Sequence, residues 1–396
     1  MLTLIAQAFM VGVFAAIDVF LFYVFFEAIL IPMYFLIGRF GGPRGTYAAV
    51  KFLLYSLVGG LLMLAALVGL WFAGISALGT PTFDWATLTS IPMDVGTERL
   101  LFLGFFIAFA VKAPLVPFHT WLPDAAGEAT PGSATLLVGV MDKIGTFGML
   151  RYLLPLFPFA SREFAPLVIA LSLIGIVYGA LLAIGQSDIK RLIAYTSVSH
   201  FGFISLGIFA FTTQAQSGSA FYMLNHGFST AALFLTAGFL ISRRGSKFIE
   251  DFGGVNKVAP VLAGTFLLSG LSSLALPGMS SFVSEFMVLV GTFTRHPWVA
   301  VVAVFGIVLA ALYILLMYQR TMTGEPSADV AAQVTELTLR ERIAIAPVIA
   351  LIVLLGFFPQ FVLDVVNPSV ARILATVQMN DPAPVGLDAT KLGVQP

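Results

Sequence analysis

Residues 101–117 read LFLGFFIAFAVKAPLVP, and residues 136–150 read LLVGVMDKIGTFGML. Each is an apolar run with a lysine inside it: Lys112 in the first and Lys143 in the second. Residues 19–38, VFLFYVFFEAILIPMYFLIG, hold the same anomaly with opposite sign at Glu27. Charge within hydrocarbon is costly, and where it persists it faces a protein interior or a water-filled path. The apolar runs imply an all-α polytopic membrane protein. The charges inside them make ion movement the leading functional expectation.

Composition agrees. The chain is 59% hydrophobic and 10% charged, with a mean hydropathy of +0.99, far outside soluble globular usage. Net charge is zero, so total charge carries no sign of nucleic acid, and none is expected as a partner. There are no cysteines, which excludes disulfides, thiolate metal sites and cysteine-ligated iron–sulfur clusters. The N-terminus opens into an apolar segment with no basic region or cleavage pattern of a signal peptide.

About 20 apolar residues span a bilayer as a helix. On that measure about eleven segments are expected: 1–16, 17–38, 47–73, 97–116, 132–155, 163–186, 190–212, 218–242, 257–293, 297–321 and 340–365. Two should be broken. Pro114 and Pro117 remove backbone donors just after Lys112. The 257–293 segment is too long for one straight crossing and contains Leu276, Pro277 and Gly278, followed by Ser280 and Ser281. Non-helical backbone at that depth is tolerated where protein buries it or water lines it. The loops are short, so residues 1–365 read as one transmembrane domain with a polar tail at 366–396. Five helices fall before residue 156 and five between 163 and 321, an even division into two halves.

Basic residues set the orientation. Arg39, Arg44, Lys51, Lys190, Arg191, Arg243, Arg244, Lys247, Lys257, Arg320, Arg340 and Arg342 fall on one side. Arg99, Arg151, Arg162, Arg295, Arg372 and Lys391 fall on the other. The first, larger set is expected in the cytoplasm, and Lys112 and Lys143 belong to neither. Counted from Asp18, Glu27 lies about 13 Å into a core about 30 Å thick. Counted from Gly132, Lys143 lies about 16 Å in. Glu285 follows the second break as Lys112 precedes the first, and ionisable groups at broken helices in two halves of a chain mark a repeat-built transporter.

Several strings then carry a resemblance: FFEAILIPMYFLIG (25–38), VKAPLVPFHTWLPDAAGEATPGSATLL (111–137), SDIKRLIAYTSVSHFGF (187–203), NHGFSTAALFLTAGFL (225–240) and LPGMSSFVSEF (276–286). In this order they resemble the antiporter-like subunits of respiratory complex I, over the chain to about residue 365. Glu27 followed by IPMYFLIG is most similar to the M branch of that family, the relative of mitochondrial chain 4. The resemblance implies inverted five-helix repeats, about 1–156 and 163–321, followed by a final helix at about 340–365. The family carries fourteen helices, so a chain lacking the first three is expected, through a misplaced start or a genuinely short product. It also implies proton translocation coupled to NADH oxidation and quinone reduction. No redox centre is expected in this chain; flavin, iron–sulfur clusters and quinone would sit in partner subunits. The implied partners are other membrane-arm subunits, especially sister antiporter-like ones, in a bacterial inner membrane. A subunit of a multisubunit cation/proton antiporter or a membrane-bound hydrogenase is the alternative, and a membrane spacer without transport is a third class.

By the same resemblance Glu27 and Lys112 match the carboxylate–lysine pair of the first half. Lys143 matches the central lysine, Glu285 the exit-side ionisable group, and His200 and His226 the polar-axis histidines of the second half. Asp142 departs from the pattern, because the family commonly has an apolar residue there. Adjacent helical residues point about 100° apart, yet Asp142 makes the site more acidic and joins the secondary path. Competing structural readings stand beside these: hydrogen-bonding or ion-pairing roles for Glu27, Lys112 and Lys143, amide capping for Glu285 and packing for the histidines. His119, Asp124 and Glu128 are too sparse for a metal site and read as loop structure. Asp188, Lys190 and Arg191 read as a solvated turn with inter-subunit contacts, and His296 as an exposed loop residue. No metal or bound cofactor is expected.

Overall fold

A computed structural model describes residues 1–383, which are helical through most of their length. We number the main helices α1 (Leu2–Ala15), α2 (Val19–Gly38), α3 (Gly45–Leu78), α4 (Val95–Lys112), α5 (Trp121–Glu128), α6 (Pro131–Leu156) and α7 (Pro158–Ile184). There follow α8 (Ile189–Phe209), α9 (Thr213–Arg244), α10 (Pro260–Ser273), α11 (Ser280–Arg295), α12 (Pro297–Met322), α13 (Leu339–Phe357) and α14 (Gln360–Thr376). Their starts follow capping chemistry. Asp18 accepts from the Leu21 amide at 2.8 Å, Asp94 from Thr97 at 3.0 Å and Asp188 from Lys190 at 2.9 Å, each satisfying a donor that the first turn leaves free. Gly79 (φ 75°) and Gly245 (φ 71°) end α3 and α9 in the left-handed conformation, where glycine carries no Cβ penalty.

Among the described residues, seven helices are long and apolar enough to cross a bilayer: α2, α3, α6, α7, α8, α9 and α12. The pair α13 and α14, bent by 69°, makes an eighth if counted as one span. The remaining expected crossings differ for physical reasons. Helices α1 and α10 have 14 residues each, about 21 Å of helix against a core of about 30 Å. Helix α4 carries Glu98, Arg99 and Lys112 in its 18 residues. The expected last helix, 340–365, stops at Phe357, where Pro359 interrupts it, and α14 runs to Thr376. Part of the expected polar tail is therefore helix, held by Val370 and Leu374, which are buried one turn apart. Residues 384–396 of that tail lie outside the described residues.

The helix breaks are where the site is built. Pro32 has no amide to bond the Ala28 carbonyl, and α2 loosens at Ile29, two residues after Glu27. Helix α4 ends at Lys112 ahead of Pro114, and the Trp121 indole donates to the freed carbonyl of Val111 at 2.9 Å. Helix α10 ends at Ser273 and α11 begins at Ser280, across a turn in which Gly278 has φ 94°. Helix α6 is not uniform. Two π-helical turns, Leu137–Met141 and Met149–Leu153, interrupt it on either side of Lys143. Gly145 lets α6 approach the backbone of α4: a Cβ there would lie 2.6 Å from the Phe109 carbonyl oxygen and the Ala113 amide nitrogen. Helix α9 occupies the centre of the second half and packs on α6, α8, α10, α11, α13 and α14.

Candidate functional site

Glu27 and Lys112 form one end of a buried series of ionisable side chains. Lys112 is wholly buried, and its ammonium has no hydrogen-bond partner among the described residues. It lies 4.7 Å from the ring centre of Phe26 and 5.9 Å from that of Phe52, so aromatic faces supply part of the stabilisation that water would give. Glu27 is half-buried, with Oε1 enclosed and likewise without a partner. The two groups are within electrostatic reach of each other but share no hydrogen bond. They are poised near each other rather than locked together.

Asp142 stands between the two lysines electrostatically, interacting with both Lys112 and Lys143. It is fully buried, and neither carboxylate oxygen has a hydrogen-bond partner among the described residues. The π-helical turn before it carries the Asp142 amide to the Leu137 carbonyl at 3.1 Å. Such bulges recur at functional sites because they free backbone groups and reset side-chain directions. Lys143 uses one of those groups: its ammonium donates to the Val138 carbonyl. It also reaches Nδ1 of His226 on α9 at 2.6 Å and lies 5.1 Å from the ring centre of Phe201.

Beyond His226 the series continues into the second half. The His200 and His226 rings are 5.1 Å apart, and Tyr222 lies 6.0 Å from His200. The Tyr222 hydroxyl donates to Oε2 of Glu285 at 2.7 Å. Tyr313 approaches Nε2 of His200 at 3.4 Å. Glu285 is 3% exposed and sits in the second turn of α11. The nearby hydroxyls of Ser280 and Ser281 are buried without partners among the described residues. The structure thus brings Lys143 into direct contact with His226, sets the His200 ring against that of His226 and joins Glu285 to this group through Tyr222, with Glu27, Lys112 and Asp142 by proximity.

Sequence reasoning missed Tyr222, Thr230 and Tyr313. A usable signal existed for two of them: Tyr222, His226 and Thr230 recur every four residues along one face of α9. Tyr313 gave none, as a single tyrosine in an apolar helix.

The acidic residues near the first break hold structure. Asp124 pairs with Lys51 at 2.7 Å and with Arg191 at 2.5 Å. Glu128 pairs with Lys247 at 3.1 Å, and Lys247 also reaches Asp188 at 2.8 Å. Among the described residues no group of three or more histidines and carboxylates could hold a metal ion. The expected solvated turn at Asp188–Arg191 is instead largely buried. Lys190 is 7% exposed and donates to the Ala129 carbonyl at 2.8 Å, because the turn packs under α5. His296 is half-buried at the start of α12.

Comparison with known proteins converges on one family. The family model described as NADH:quinone oxidoreductase/Mrp antiporter, TM, matches residues 16–310. NADH-quinone oxidoreductase subunit M of Mycobacterium tuberculosis (strain H37Rv) is 55% identical over 390 residues, 97% of this chain and 70% of that protein. Its counterpart in Escherichia coli (strain K12) is 43% identical over 369 residues, 92% and 72%. A chain of respiratory complex I from Thermus thermophilus superposes with a TM-score of 0.89 at 34% identity, covering 95% of this chain and 79% of that one. A chain of the Mrp complex from Dietzia sp. DQ12-45-1b shares the fold, with a TM-score of 0.85 at 22% identity. Sequence motifs, helix architecture and these matches agree: the chain belongs to the family of NADH:quinone oxidoreductase/Mrp antiporter membrane subunits.

Proposed function

We propose that this chain serves as a proton-translocating subunit of the M type in the membrane arm of an NADH:quinone oxidoreductase. Protons move along Glu27, Lys112, Lys143, His226, His200 and Glu285, with Asp142 as a carboxylate between the two lysines. The observation that carries this reading is the 2.6 Å contact between Lys143 and His226, which ties the first half to the second inside a buried, polar series. The histidine rings meet edge to face with their centres 5.1 Å apart, so a proton passes between them by reorientation of a ring or along a water beside the pair. Changing the charge on one member changes which neighbour holds a proton, so electrostatics alone can drive the switch.

In this reading the short and broken helices α1, α4, α10 with α11, and α13 complete eleven crossings arranged as two inverted five-helix repeats and a last helix. NADH oxidation and quinone reduction take place in partner subunits, which carry the flavin and iron–sulfur centres. Sister antiporter-like subunits flank the chain in a bacterial inner membrane. The pairing of Lys51, Arg191 and Lys247 with the same short acidic segment supports placing these basic loops on one side, which we assign to the cytoplasm.

The test is Glu27→Gln in the assembled complex, in inverted membrane vesicles. It keeps size and removes the titratable charge. NADH-driven proton uptake should fall strongly while NADH oxidation to an artificial acceptor shows assembly intact, and Glu27→Asp should be milder. Normal uptake by an assembled Glu27→Gln complex overturns the role. Sodium–proton exchange in vesicles without NADH would instead favour the antiporter reading.

A further inference from the structure

Gly60 lies in the interior of α3, where glycine is ordinarily disfavoured against alanine. A Cβ placed there meets the carboxyl group of Glu27 before anything else: 2.5 Å from Cδ, 3.0 Å from Oε2 and closer still to Oε1. Its three nearest atoms all belong to that carboxyl group, and none is backbone of α2. The first obstacle to a side chain at 60 is therefore the carboxyl group and not the backbone of a neighbouring helix. Gly59 faces elsewhere: its Cβ position lies 3.1 Å from Cα of Ala108 on α4, one turn before Lys112. The glycine pair lets α3 hold α4 on one side and the carboxyl group on the other.

We propose that Gly60 is a positioning residue for Glu27, its missing side chain leaving the notch in α3 that seats the carboxylate within reach of Lys112. Oε1 is buried and has no hydrogen-bond partner among the described residues, so shape rather than a donor fixes where it sits. The glutamate end is flexible and the helix backbone is not. A methyl group at 60 therefore moves the carboxylate rather than α3. This inference rests on the reading of Glu27 as a proton-bearing group.

The experiment compares Gly60→Ala, Glu27→Gln, Glu27→Asp and Gly60→Ala/Glu27→Asp, with Gly264→Ala as control, since a Cβ at Gly264 meets nothing within 4 Å. All are measured in membrane vesicles bearing the whole complex, as NADH-driven proton uptake alongside NADH oxidation. Gly60→Ala should assemble and lose about tenfold in proton uptake, as displacement of a reacting group by about 1 Å costs up to about a hundredfold. The shorter carboxylate of Glu27→Asp clears the methyl group, so the double variant should pump better than Gly60→Ala alone. A simple structural defect at 60 would not be relieved in this way. Full uptake in Gly60→Ala, or a double variant no better than Gly60→Ala, overturns the inference. If Gly60→Ala lowers assembly, assembly becomes the readout, with recovery in the double variant supporting the contact and no recovery overturning it. Normal uptake in Glu27→Gln overturns the parent reading; loss in Glu27→Gln with full uptake in Gly60→Ala overturns this inference alone.

Discussion

The ammonium of Lys143 lies 2.6 Å from Nδ1 of His226, and this contact joins α6 to α9 across the two halves of the chain. An ammonium only donates, so while Lys143 is protonated Nδ1 is the unprotonated nitrogen. Nε2 then carries the hydrogen and donates to Thr230 Oγ1 at 3.2 Å. A proton leaving Lys143 thus has an acceptor already in place, and the receiving ring has an outlet on its far side.

The first prediction follows from that arrangement. His226→Ala removes the acceptor and should lower NADH-driven proton uptake by about a hundredfold or more, the lower end of what a positioned acid–base group contributes. Thr230→Ala leaves the acceptor and should be milder. Proton uptake in vesicles, normalised to NADH oxidation, ranks the two. No effect of Thr230→Ala would mean that the tautomer is set by something other than Thr230.

Tyr222→Phe removes only the hydroxyl that donates to Glu285 at 2.7 Å. The buried carboxyl group loses its one donor among the described residues, at an expected cost of about 1–3 kcal/mol. Uptake should fall severalfold with assembly preserved. Tyr313→Phe, whose hydroxyl lies 3.4 Å from His200, should do less, because that hydrogen bond is long. A melting curve in detergent alongside the uptake assay separates the stability effect from the transport effect.

Asp124 ties α3 to the start of α8 through Lys51 and Arg191. Burial pushes its carboxyl upward, but the two cations outweigh that and hold it below the usual carboxylate range. A depressed folded value means the stabilisation is present above the unfolded value, near pH 4, and is lost as pH falls through the folded one. Asp124→Asn should therefore cost about 2 kcal/mol at pH 7. The difference from the native chain should shrink below about pH 4. Thermal unfolding in detergent at the two pH values checks it, and a difference independent of pH would rule out the charge as its source.

How legible this was depended on distance along the chain. Apolar runs located the helices, and Pro114, Pro117 and Pro277 located two breaks, because proline acts locally. Lys112, Lys143 and Glu285 stood out because charge within an apolar run is conspicuous in one dimension. What was hidden needs partners far apart in sequence. The π-helical turns of α6 flank Gly145, and that glycine's role appears only against Phe109 and Ala113 of α4. The Tyr222–Glu285 bond spans 63 residues. Lys190 looked solvated because its burial depends on the Ala129 carbonyl, 61 residues away. Helix α14 hid within a polar composition because only its Leu363, Val370 and Leu374 face inward.

The last prediction separates two roles for Lys143. One needs only a fixed positive charge that biases Lys112 and Asp142. The other needs a proton that leaves for His226. Lys143→Ala removes both and should abolish most NADH-driven uptake. Lys143→Arg keeps the charge, but guanidinium does not deprotonate in proteins, so it serves the first role and not the second. Size is a separate matter, since the site is closed: Lys143 is 5% exposed and lies against Phe201. Lys143→Met fills a similar volume without charge and serves as the control for packing. Assembly is read from NADH oxidation with an artificial acceptor in each variant. We expect Arg to fail as Ala and Met do while the complex assembles, because the short contact to His226 places an acceptor where only a releasable proton is useful. Recovery of half or more of native uptake in Lys143→Arg would show that Lys143 works as a fixed charge, and the proton would then have to pass to His226 through water or Asp142.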